Sequence, residues 1–92
     1  MRSMMNENEF EAILSPIADL LKRKNTDYGN SYAILRERFG PISFLVRLHD
    51  KINRVEQLTK NEALVKEESV LDTLKDIIGY CTLEILYREG HK

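Results

Sequence analysis

The chain has 92 residues, room for one domain and not for two. Its 14 basic and 15 acidic residues leave a net charge of −1, which excludes a general DNA-coating protein whose affinity would rest on a basic surplus. With 32% charged and 42% hydrophobic residues it has the composition of a folded domain and not of a disordered tail.

The first helical pattern comes from Phe10, Ile13, Leu14, Ile17, Leu20 and Leu21, which recur at helical spacing. Asn6 or Asn8 can cap its start, Glu7, Glu9 and Glu11 suit its first turn, and Lys22, Arg23 and Lys24 suit its end. Pro16 either kinks this helix or marks its true first turn. The reading is a helix over about residues 7–24, then a polar loop over 25–31 punctuated by Asn, Asp and Gly. A short helix follows over 32–39, ended by Gly40-Pro41. A second main helix is expected over about 41–59, because Leu45, Leu48, Ile52 and Val55 fall within an arc of about 80°. A third main helix is expected over about 67–88, with a stripe of Val70, Leu71, Leu74, Ile77, Ile78, Cys81 and Ile85. No turn-flanked alternation signals a strand. The fold class is all-α: three main helices and a short helical turn in a single domain over 1–92, the bundle completed by oligomerisation.

The single cysteine, Cys81, forms no internal disulfide and no cysteine zinc site, so a reducing cytoplasmic setting is the default. Cys81 itself lies in the apolar stripe and reads as a buried small hydrophobe. Residues 1–9 are polar and acidic, with no apolar segment typical of a signal peptide. No apolar run approaches the ~18 residues of a membrane span, so no membrane partner is expected.

The polar faces carry the chemistry. Arg47, Asp50, Lys51 and Arg54 share one side of the second main helix, and the three cations can act as a phosphate grip. A solvated face with local ion pairs explains the same spacing. Glu68, Asp72 and Asp76 stand four residues apart on the third main helix, with Gly79 on the same side. Like charges at that spacing repel unless a divalent cation or facing Arg and Lys groups neutralise them. Gly79 is either a helix-crossing point or a place of close ligand approach. A cation-rich helix facing an acid-rich one forms a polar seam, and sites in bundles are built on such seams. In the loop, Lys24, Asp27 and Tyr28 offer groups for a base, ribose or phosphate, and the alternative is a capped turn anchored by Tyr28. His49 and His91 have no second histidine at metal-site spacing. A nucleophilic triad, a Walker loop and a Rossmann glycine pattern are all missing from the sequence.

Three segments together carry a family resemblance: KNTDYGNSY (24–32), GPISFLVRLHDKINRVEQL (40–58) and EESVLDTLKDIIGYCTL (67–83). In order they resemble the nucleotide modification associated domain 1 family, small proteins common in phages and prophages of bacteria, over about residues 10–86. The layout is also similar to the all-α MazG-like NTP pyrophosphatases, which hold Mg²⁺ against a nucleoside triphosphate with acids on two helices. This chain departs from that pattern, with Arg47 beside Asp50 on one helix and Asp72 and Asp76 at spacing four on the other.

Three functions follow as expectations. In the first, the protein is a Mg²⁺-dependent enzyme that cleaves a nucleoside triphosphate to monophosphate and pyrophosphate. Asp50, Asp72 and Asp76 are then catalytic, with Glu68, Asp72 and Asp76 as metal ligands. Lys24, Asp27, Tyr28, Arg47, Lys51 and Arg54 bind the substrate. In the second, the same seam captures a nucleotide or nucleotide-like molecule without cleaving it, as a modification accessory or a sponge. In the third, the seam is intersubunit ion pairing in a structural homo-oligomer. The resemblance places all three in the cytoplasm of a bacterial host.

Overall fold

The computed structural model of the chain describes residues 5–27, 30–60 and 66–90, and the side chains of these except at 27, 66 and 67. The described residues form four helices and no strand: α1 (Glu7–Asp27), α2 (Ser31–Phe39), α3 (Ile42–Lys60) and α4 (Lys66–Gly90). The fold is all-α.

Local chemistry sets the helix ends. Asn6 caps α1 in a reciprocal box: its Oδ1 accepts the Glu9 N–H at 3.1 Å, and its own N–H donates to the Glu9 carboxylate at 3.1 Å. α1 runs through Pro16, so that residue is neither start nor stop; it supplies no N–H for the carbonyl of Ala12. The helix also continues past residue 24, where composition suggested a loop. Thr26, in its last turn, donates its hydroxyl to the Lys22 carbonyl at 3.0 Å. Asn30 takes the left-handed conformation (φ 65°) that Asn tolerates, and its carbonyl accepts the Ile34 N–H at the start of α2. Gly40 closes α2 at φ 74°, donating its N–H to the Arg36 carbonyl at 2.9 Å.

α3 and α4 pack most extensively, α1 lies against α4, and α2 lies against α3. The α3–α4 pair is antiparallel: Arg47 meets Tyr80 and Lys51 meets Asp76, so four residues forward on one helix are four back on the other. The α1–α4 crossing is at Gly79, where an added Cβ would lie 3.3 Å from Leu21 Cδ2. Gly79 is therefore the crossing point that one of the two sequence readings expected.

The apolar stripes are only partly used. On α3, Leu48 and Val55 are half-buried while Leu45 and Ile52, on the same stripe, stay exposed. Arg47 and Lys51 are half-buried instead, because α4 packs along the junction of the polar and apolar sides. On α4, Leu71, Leu74 and Ile85 are exposed, and Cys81 is half-buried rather than enclosed. Among the described residues Ile17 is the one buried large hydrophobe; Thr73, Gly79 and Glu84 are the other buried positions. No helix among the described residues is long and apolar enough to cross a membrane.

Candidate functional site

Two polar centres lie along α4, separated by two turns. The first is built on Glu84, which is only 4% exposed. Its Oε1 accepts the Tyr32 hydroxyl at 2.7 Å and Arg36 Nε at 3.0 Å; its Oε2 accepts Arg36 Nη2 at 3.0 Å and Arg88 Nε at 2.6 Å. Arg36 thus grips the carboxylate as a planar fork, and its guanidinium lies 4.7 Å from the centre of the Tyr87 ring. Tyr87 in turn donates to Glu37. The hydrogen bonds from Arg36 hold the Glu84 carboxyl at about 2, well below its ordinary 4.5, although burial pushes the other way. Burial, and then the bond to Glu84, push the Tyr32 hydroxyl well above its usual range. Both oxygens of Glu84 are occupied by donors from α2 and α4. The cluster braces α2 across α4 and has no valence left for a ligand.

The second centre is a cleft of about 470 Å³ between α1 and the α3–α4 hairpin. That volume is within the range of small-molecule sites. Ile17, Leu20, Leu21 and Leu83 give it an apolar floor, and Gly79 leaves the floor open. Lys24 and Asn25 from α1, Ser31 and Tyr32 from α2, Arg47 from α3, and Lys75, Asp76 and Tyr80 from α4 supply its polar groups. Arg47 donates to the Tyr80 hydroxyl at 3.3 Å, with its guanidinium 5.5 Å from the ring centre. A phenol does not neutralise that cation. Asp76, the one carboxylate among the described residues of the lining, is bridged by Lys51 at 3.3 Å and remains about half exposed.

The residues singled out in the sequence are thus divided. Lys24, Arg47 and Asp76 line the cleft, and Lys51 reaches it through Asp76. Asp50 and Arg54 are exposed on α3, away from the lining. Glu68 and Asp72 are exposed on earlier turns of α4. Tyr28 and the side chain of Asp27 lie outside the described residues. Magnesium is implied by the likeness to pyrophosphatases. Among the described residues no three His, Cys, Asp or Glu side chains gather as a metal site. Asp76 is engaged by Lys51, and Asp72 is exposed one turn before it.

Sequence reasoning missed Tyr32, Arg36, Lys75, Tyr80, Glu84, Tyr87 and Arg88. Glu84 left a readable signal. On a helical projection it falls about 20° from Ile77, inside the apolar stripe, where a lone acid requires a buried partner.

No curated protein and no solved structure matches the chain. Its segment 24–87 does match a family, and that segment holds α2, α3, nearly all of α4 and the end of α1 that carries Lys24. The α1 wall of the cleft before residue 24 lies outside the match, although the resemblance was expected to begin near residue 10. With well over half of its length matched, the chain belongs to the nucleotide modification associated domain 1 family.

Proposed function

We propose that the cleft captures a nucleotide through its phosphate, with Arg47, Lys24 and Lys75 as the anion-binding groups and the apolar floor beneath the base. The charge balance carries this reading. Among the described residues of the lining, Lys24, Arg47 and Lys75 face one carboxylate, Asp76, and that carboxylate already has Lys51. A chain of net charge −1 thus concentrates positive charge at its cleft. Arg47 offers a planar fork suited to phosphate oxygens, while the two lysines act as point charges. The flat Tyr80 ring and the leucines beside it suit a heterocycle. The family's nucleotide association points to the same ligand class. Capture by cations needs no metal bridge, and the scattered acids favour it over Mg²⁺-dependent hydrolysis.

Calorimetry with a panel of nucleoside mono- and triphosphates, with and without Mg²⁺, tests the reading. The expected result is binding without Mg²⁺ that weakens as salt rises. Arg47→Ala should lower affinity by roughly 10- to 100-fold, the loss of a charged hydrogen bond. Nucleotides that give neither heat nor thermal stabilisation would end the proposal. Pyrophosphate release on adding Mg²⁺ would replace it with the hydrolytic reading.

A further inference from the structure

We infer that the side of the α3–α4 hairpin opposite the cleft is the interface with a second copy of this chain, two hairpins closing face to face into a four-helix bundle. The inference is independent of the ligand reading. On α4, Val70, Leu71, Leu74, Ile78, Cys81 and Ile85 occupy an arc of about 100° in which no charged residue falls between positions 70 and 85, while Glu67, Arg88 and Glu89 enter it at the helix ends. That arc is centred about 130° around the helix from Gly79, where α1 packs. On α3 the exposed large hydrophobics are Ile42, Leu45, Val46 and Ile52, of which Leu45 and Ile52 continue the stripe of Leu48 and Val55.

The two stripes share one side of the hairpin. From the contacts Arg47–Tyr80 and Lys51–Asp76, the uncovered stripe lies about 130° around α3 and about 150° around α4, in the same rotational sense. Because the helices are antiparallel, that common sense brings both stripes to one face. Leu45, Ile52, Leu71, Leu74 and Ile85 are each between 40% and 58% exposed there. A stripe this wide, uncharged over the four turns from 70 to 85, is the core-facing pattern of a bundle helix, and nothing among the described residues covers it.

Size and chemistry favour a second copy as the occupant. α3 is about 28 Å long and two helices are about 20 Å across, giving a flat footprint of roughly 600 Å². With side-chain corrugation that is the order of the about 800 Å² per partner of a standard interface. The face is self-complementary, apolar on both helices, as a two-fold contact requires. It would also supply the core that the chain lacks with Ile17 as its one buried large hydrophobe among the described residues.

Sedimentation equilibrium of the full chain tests this. The expected mass is twice the 10.8 kDa of the chain at micromolar concentration. Leu74→Arg should give a monomer, and Val46→Arg, exposed on another side of α3, should leave the dimer intact. In case the arginine variant unfolds, Leu74→Ala should keep its helical circular dichroism and raise the dimer dissociation constant at least tenfold. Cys81 gives a readout without substitution, since its labelling by a maleimide should slow as protein concentration rises. A monomer at all concentrations would overturn the inference. So would a dimer broken by Val46→Arg and untouched by Leu74→Ala, or a dimer in which Cys81 labelling is independent of concentration.

Discussion

Glu84 and Asp76 are both acids of α4, two turns apart, and both meet cations. Glu84 is buried and takes five hydrogen bonds from three side chains, while Asp76 is about half exposed and has one lysine at 3.3 Å. A buried carboxylate with every oxygen position filled fixes geometry, because any change leaves a charge without a partner. A half-exposed pair at a cleft edge contributes little to stability, and its members can exchange partners when an anion arrives. The brace and the site are therefore different parts of one helix, and removing each acid should have opposite kinds of consequence.

The largest effect is expected at the brace. Glu84→Ala strands Arg36 beside Tyr32 in a half-buried position and should cost about 3–5 kcal/mol. For a domain of this size that lowers the melting temperature by tens of degrees, measurable by thermal circular dichroism. The same residue sets the acid limit. Its carboxyl sits at about 2 in the fold against an ordinary 4.5, so the folded state binds the proton less well. Its contribution is complete above about pH 4.5 and is lost as pH falls towards 2. Urea midpoints between pH 6 and 2 should therefore fall more steeply for the wild-type protein than for Glu84→Gln, and parallel profiles would show that Glu84 is not the group responsible.

The helices, the polar seam and the crossing at Gly79 were legible because periodicity, caps and glycine cost act within one helix. The faces set Arg47, Lys51 and Arg54 against Glu68, Asp72 and Asp76, and of these the antiparallel register pairs Lys51 with Asp76 while Arg47 meets Tyr80. The brace was not found, because Tyr32, Arg36 and Glu84 are about fifty residues apart in sequence and meet only through the path of α2. Glu84 inside an apolar stripe was the one local clue. The rotation of α3 was also hidden. Periodicity gives the direction of an apolar stripe but not which neighbour takes it, and here α4 takes one edge and leaves Leu45 and Ile52 outside.

At the cleft, the expected effects are smaller and fall on binding. Gly79→Ala adds helix propensity of about 1 kcal/mol. Its new methyl meets Leu21 Cδ2 at 3.3 Å, the end of a flexible side chain beside open space, which can give way. Stability should therefore rise by about 0.5 kcal/mol while the floor narrows and nucleotide affinity falls. Chemical denaturation and calorimetry on the one variant read the two changes separately, and a loss of stability would mean that Leu21 is held too firmly to move.

Asp76→Asn separates capture from metal-dependent hydrolysis by sign alone. The substitution keeps the size of the side chain and removes the only carboxylate among the described residues of the lining, releasing Lys51. Because the pair is half exposed, the stability change should stay within about 1 kcal/mol. If cations hold the phosphate directly, one less negative charge and one more available lysine should tighten nucleotide binding, by roughly 2- to 5-fold at low salt and less as screening sets in. If a metal ion held by Asp76 carries the phosphate, the same change weakens binding, and only in the presence of Mg²⁺. Titrations of wild type and variant at two salt concentrations, each with and without Mg²⁺, distinguish the two: a weaker, Mg²⁺-sensitive variant would sink direct capture.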